Sequence, residues 1–291
     1  MIRNALTVDV EDYFHVSAFA NSIDRSDWGS QALRVEANTQ RLLDLFDNAG
    51  VKATFFVLGW VAERCPDIVK EIAGRGHEVA CHGFSHQLVY NQTPEEFREE
   101  TIRSKQLLEE IAQAPVRGYR AASYSITKNS MWALDILSEA GFEYDSSIFP
   151  VRHDRYGIPG AREEPHVLKT GNGSDLIEFP LSVAKVLGYN LPIAGGGYFR
   201  LYPYALTRAG LKQVNKRGQS FIFYLHPWEI DPEQPRVETG LLSRFRHYNN
   251  LDKCESRLRR LMEDFSFCTA WETLQDLGLV REGQGDIRAA S

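Results

Sequence analysis

The chain has 291 residues, 43% of them hydrophobic and 25% charged, which is enough apolar material for one large α/β domain with a sizeable core. A formal net charge of −6 gives no general reason to bind nucleic acid or an anionic membrane, since both favour concentrated lysine and arginine. No apolar run approaches the roughly 20 residues that span a bilayer. The chain opens without a charged and then apolar leader, and Cys65, Cys81, Cys254 and Cys268 lack C-x-x-C spacing, so reduced thiols in the cytoplasm are expected.

Residues 5–10 read as a buried strand that ends in an acidic cluster, followed over 13–34 by an irregular loop carrying Phe14, His15, Phe19 and Trp28, long enough to form a lid or wall. Residues 35–48 predict a helix, with Val35, Leu42, Leu45 and Phe46 on one face and Gly50 as its stop. A strand over 51–59, a short helix from Pro66 and a strand over 77–82 come next. Thr93, Pro94 and Glu96 mark the start of a helix to 112, with Thr as cap, Pro at the first position and Glu at the third. Strands over 116–122 and 142–145 flank a helix over 129–140, and 146–175 is loop-rich. Residues 175–181 read as a strand, 195–200 as a glycine-rich loop, 204–216 as a helix and 220–226 as a strongly β-forming run. A charged helix over 250–264, a short strand from Phe267, a helix from Trp271 and a polar tail complete the chain, with no internal repeat and no domain linker.

Alternating strands and helices imply parallel pairing. Asp9, His82, Arg120, Asp145 and His226 each fall at or just past the C-terminal end of a predicted strand, where barrel enzymes assemble their sites. The fold class is therefore α/β, an irregular (β/α) barrel.

Within Asp9-Val10-Glu11-Asp12 the usual fate of neighbouring carboxylates is a solvated turn. Their position after a buried strand, with His82 and His86 four residues apart elsewhere, points instead to a metal site. Two imidazoles and one carboxylate occupy three positions on a divalent ion and leave the rest open, the layout of a hydrolytic site. One acid, Glu11 or Asp12, then binds the metal, and Asp9 remains unbound as base. Cys81 beside His82 reads as a core residue rather than a ligand.

These segments resemble the polysaccharide deacetylases of the NodB-homology group, carbohydrate esterase family 4, by order and spacing of motifs over roughly residues 5–230. The resemblance implies a seven-stranded barrel over 1–230, with a helical extension over 231–291 packed on the same domain. It makes Asp9 the base, and the D-x-D register of one branch favours Glu11 over Asp12 as metal acid. His82-Gly83-Phe84-Ser85-His86 keeps both histidine ligands with the second motif position altered. Arg120-Ala121-Ala122-Ser123 resembles the arginine motif, in which the arginine pairs with the base and the Ser123 position offers its backbone N–H to the oxyanion. Tyr144-Asp145 and Leu225-His226 resemble the last two motifs, with His226 as acid to the leaving amine and Asp145 tuning it.

Tyr198 and Arg200 of the glycine-rich segment, with Trp228, are the expected substrate contacts. The wording of the first motif and of the segment after His226 is similar to a subgroup found in exopolysaccharide gene clusters with the exosortase system. The expected function is a divalent-metal hydrolase, with zinc as the ion, that removes N-acetyl groups from an amino sugar of a bacterial exopolysaccharide or its precursor. The expected partner is a carbohydrate, with no nucleic acid. An amidase or deformylase acting on a small or lipid-linked amide, and a catalytically inactive carbohydrate-binding barrel, are the alternatives.

Overall fold

In the computed structural model, residues 2–280 are described. Part of the expected C-terminal extension, residues 281–291, lies outside them.

Strand β1 (Arg3–Val10) is followed by three short 3-10 turns and helix α1 (Val35–Ala49). Then come β2 (Thr54–Val57), α2 (Gly59–Arg64), α3 (Pro66–Gly74), β3 (Glu78–Cys81), α4 (Pro94–Ala112), β4 (Gly118–Tyr119), α5 (Trp132–Glu139) and β5 (Tyr144–Asp145). The second half contains β6 (His166–Lys169), β7 (Asp175–Glu178), β8 (Val183–Val186), β9 (Tyr189–Pro192), α6 (Gly196–Leu201), α7 (Tyr204–Lys216) and β10 (Ile222–Leu225). Helices α8 (Leu241–Tyr248) and α9 (Leu251–Asp264), strand β11 (Ser266–Cys268) and α10 (Ala270–Asp276) finish the fold.

Seven strands run parallel in the order β10-β1-β2-β3-β4-β5-β7, with β6 antiparallel on β7, β11 beside the start of β1, and β8 and β9 forming a separate hairpin. Among the described residues the path does not close, and one parallel bridge from Gly195 to Tyr224 joins the outer side of β10. This is the irregular α/β barrel expected from the sequence.

The pleat divides the strands into two faces. Leu6, Val8, Val10, Phe55, Val57, Val79, Phe223 and Leu225 pack in one cluster with the helices, beside Leu42, Phe46, Phe97 and Leu108. Ala5, Phe56, Ala80, Tyr144, Ile222 and Tyr224 form the inner cluster, closed at its base by Ala270 and Leu274 of α10. Cys81 is buried on the helix side, and all four cysteines are buried free thiols.

Local signals account for the best-defined elements. The Thr93–Glu96 capping box and Pro94 start α4, and Gly50 at φ 64° ends α1. The glycine-rich segment forms α6 rather than a loop. At φ 129°, Gly195 brings its backbone so close to the Tyr224 carbonyl that a Cβ would meet that oxygen at 1.9 Å, and the chain then turns directly into helix. Residues 146–175 include β6, whose alternating half-exposed pattern carries little apolar signal.

The segment after β10 is built into the barrel, because β11 pairs with β1 and α9 packs on α1 and on the turn after β10. Replacing the fully buried Leu258 of α9 by alanine should cost about 2–5 kcal/mol and lower the midpoint of a single urea transition. A separate early transition would show that this segment folds independently.

Candidate metal centre and active site

Parallel register gathers the polar residues at one end of the sheet. Asp9 lies opposite Phe56, Val57 opposite Cys81, Tyr119 opposite Asp145, and Val8 opposite Leu225. The residues that follow these pairs therefore leave the sheet in one layer.

Glu11, His82 and His86, all buried, bring ligand atoms within 4.8 Å of one another. Nδ1 of His82 donates to the Arg120 carbonyl at 2.8 Å, which fixes the tautomer and leaves the lone pair on Nε2. His86 is held at φ 51°, a strained conformation for a residue with a side chain, and its Nε2 lies 2.8 Å from Glu11 Oε2. That oxygen is buried and accepts no hydrogen bond. Burial pushes the His82 imidazole down to about 4 and so keeps it neutral. Burial alone would raise the Glu11 carboxyl, but the imidazoles of His86 and His226 hold it well below the usual range. An unsatisfied carboxylate oxygen beside imidazoles fits a divalent cation, and a His2Glu set without thiolates fits zinc.

Asp12 faces elsewhere. Its oxygens accept from Tyr13 N at 2.8 Å, Arg34 N at 2.7 Å and Val35 N at 2.9 Å, capping the first 3-10 turn and the start of α1. Asp12 is thus corrected from candidate ligand to helix cap, with both oxygens already engaged.

Asp9 accepts from the fully buried Arg120 guanidinium at 2.5 Å and faces the Tyr124 hydroxyl at 3.4 Å. Arg120 also donates to Thr7 Oγ1, Ser146 O and Ser146 Oγ, so its buried charge is paired and each of its three nitrogens donates. Across the site, His226 Nε2 lies 3.5 Å from Glu11 Oε1 and 3.9 Å from Asp9 Oδ2.

The partner that orients His226 is Glu229, whose Oε1 accepts from His226 Nδ1 at 2.8 Å. Burial disfavours the imidazolium, but Glu11 and Glu229 outweigh it and raise His226 to about 9. Asp145 does not take this part. It accepts from the hydroxyl and backbone N–H of Ser147 at 2.6 and 3.1 Å, while Ser147 Oγ accepts from Ala121 N. Asp145 therefore organises the backbone ahead of Ser123.

Arg200 is a second correction. It is buried, donates through Nε to Glu229 Oε2 at 2.5 Å, and binds the carbonyls of His247 and Asn249, so it cannot reach a substrate. Trp228 is also buried. Its ring stacks on His226 and its indole N–H points at Glu11 Oε1, 3.3 Å away.

Tyr198 and Ser123 line a cleft of about 1060 Å³ that begins at His86. Ser123 and Tyr124 hold successive φ values of 50° and 55°, a strained pair of the kind concentrated at functional sites. His15 lines the same cleft. Its Nδ1 accepts from Asp12 N at 2.8 Å, so Nε2 carries the proton, and this buried donor has no partner.

The sequence reading missed the roles of Glu229 and His15. Glu229 was signalled only by its place three residues after His226, and His15 by its place four residues after Glu11.

Residues 25–144 match the family model for polysaccharide deacetylases, and residues 146–275 that of a domain of unknown function, DUF3473. A peptidoglycan-N-acetylglucosamine deacetylase of Bacillus cereus is 35% identical over 98 residues, covering 33% of this chain and 36% of that protein. The chain thus matches little more than a third of that relative's length. The structure of a Mycobacterium smegmatis protein assigned as a polysaccharide deacetylase superposes with a TM-score of 0.65 at 20% identity, covering 96% of this chain and 90% of that one. Puue allantoinase superposes with a TM-score of 0.61 at 14% identity and the same coverage, so the shared feature is the fold. Residues 25–144 are thus similar to polysaccharide deacetylases and residues 146–275 to the DUF3473 domain, each match covering less than half of the chain.

Proposed function

We propose that the protein is a metal-dependent hydrolase that removes N-acetyl groups from an amino sugar of a bacterial exopolysaccharide or its precursor. The observation that carries this reading is the Glu11–His82–His86 cluster facing Asp9 and His226 at the head of a cleft with room for a sugar. A divalent ion, zinc by the donor set, would be held by Glu11, His82 and His86 and would acidify water and polarise the acetyl carbonyl.

Asp9, paired with Arg120, takes the proton of the attacking water. The water oxygen joins the acetyl carbon, the C–N bond breaks, and His226 Nε2 delivers the proton that the departing amine needs. Glu229, itself held by Arg200, accepts from His226 Nδ1–H and so directs Nε2–H toward the site. The backbone N–H of Ser123 stabilises the oxyanion, and His15 Nε2–H donates to a substrate oxygen. The exopolysaccharide setting rests on the motif resemblance, and four unpaired thiols support a reducing compartment. Among the described residues, no helix is long and apolar enough to cross a membrane.

Zinc-loaded protein should hold roughly one ion per chain and release acetate from N-acetylglucosamine oligomers. His82→Ala should lose the ion, while Asp9→Asn should keep it and lose about 10²–10⁴-fold in kcat. Metal without acetate release would remove the substrate assignment, and no metal would remove the site. Glu229→Gln should lower kcat roughly tenfold or more at unchanged metal content. Asp145→Asn should act on thermal stability instead, and equal kinetic losses in both would refute the exchange of roles. His15→Phe, which also removes the acceptor of the Asp12 N–H, should keep the metal and lower kcat/KM about 5- to 100-fold through loss of the Nε2–H donor; a wild-type value would exclude the contact.

A further inference from the structure

The cleft continues outward past the catalytic residues and changes character. At its mouth, Leu201 of α6 and Leu242 and Phe245 of α8 are 49%, 61% and 55% exposed, and the neighbouring Leu241 is 85% exposed. Single exposed leucines are ordinary, whereas four large apolar side chains on two adjoining helices form a patch. The patch is not a fraying end. On the inner side of α8, His247 stacks on Trp228 and donates to Gln234, and its carbonyl accepts from Arg200. The contacts that hold Glu229 against His226 therefore also fix α8 with its apolar face outward.

The same cleft is lined by Arg25, Arg155 and Arg246, all three exposed. Among the described residues none of the three has a carboxylate within ion-pair distance, and Arg25 donates to Gln87. The nearby carboxylates are otherwise engaged: Asp24 caps a turn through Ser26, and Asp154 pairs with His153. In a chain of net charge −6, unneutralised arginines lining a cleft mark a place for an anion. Besides the hydrolytic groups at His86, the cleft thus carries cations and hydrocarbon surface. A neutral polymer chain would gain nothing from the last two.

We propose that the substrate is an amino sugar carried on a lipid phosphate, its acetamide at the Glu11–His82–His86 end, its phosphate at Arg155 and Arg246, and the start of its hydrocarbon chain across Leu242 and Phe245. This assignment rests on the deacetylase reading and narrows it to a carrier-bound precursor.

The test compares acetate release by zinc-loaded protein from free N-acetylglucosamine, its 1-phosphate, and a polyprenyl diphosphate ester of it in detergent. Each addition should raise kcat/KM about tenfold, the phosphate through charge-assisted hydrogen bonds and the lipid through buried methylenes. An Arg155→Ala/Arg246→Ala variant should bring the 1-phosphate-to-free-sugar ratio close to one. Leu242→Ser/Phe245→Ser should do the same to the lipid-to-phosphate ratio. Equal use of all three substrates, or ratios unchanged in the variants, overturns the assignment.

If none of the three releases acetate, the deacetylase reading fails, and the lipid assignment is judged by binding to Asp9→Asn protein. Retention of the lipid-linked sugar that weakens about tenfold in Leu242→Ser/Phe245→Ser supports it, and no retention overturns it. Binding to sugar-free phosphatidylglycerol vesicles as tight as to the lipid-linked sugar would make the patch a membrane-docking surface instead. Self-association in sedimentation that the apolar variants abolish would assign the patch to a second copy of the chain. Either result overturns the substrate assignment.

Discussion

The buried ion pair between Asp9 and Arg120 is the interaction on which the site depends. Arg120 is fully buried, and an unpaired charge there would cost several kcal/mol. Its side chain joins the end of β1, through Thr7 and Asp9, to Ser146 beyond β5. Its own carbonyl accepts from His82 and so orients a candidate metal ligand. One residue thus places the proposed base and one histidine relative to each other, which explains why its guanidinium is kept in the barrel interior, stacked on Phe56.

A second ion pair, Arg200 with Glu229, does the corresponding work on the opposite side. It anchors the carboxylate that orients His226, and through the His247 and Asn249 carbonyls it ties that carboxylate to the end of α8. The proposed acid, the candidate metal carboxylate and the cleft mouth are thereby joined by one set of contacts. Trp228 completes it by stacking on His226 while facing Glu11.

The site is composite along the chain. His82, His86 and Arg120 lie within the part that matches the deacetylase model, Asp9 and Glu11 precede it, and His226, Glu229 and Arg200 lie in the DUF3473 region. The second region supplies β10, which pairs with β1 along Ala5–Val8 and delivers His226 beside Asp9.

Much of this was legible in the residues. Strand and helix alternation, the histidine spacing and the placement of polar residues at strand ends identify the barrel and the end at which chemistry collects, because periodicity and turn residues are local properties. Asp9, His82, Arg120, Asp145 and His226 stand at predicted strand ends, His86 follows from the histidine spacing, and the motif resemblance implies the roles of Arg120 and His226. Glu11 and Asp12 are neighbours of one chemical kind, and no local rule separates them. Only the start of α1, with Arg34 N and Val35 N waiting for a cap, claims Asp12 and leaves Glu11 to the histidines. Likewise, Asp145 and Glu229 are both acids near motif positions, and Arg200 is an arginine in a glycine-rich segment. Which carboxylate meets His226, and whether Arg200 faces solvent or a buried partner, follows from how α6, α8 and the turn after β10 pack. By itself the sequence determined the residue types and the end of the barrel to which they belong. Tertiary structure decided the pairings, because a buried charge takes whichever partner packing brings within hydrogen-bond distance.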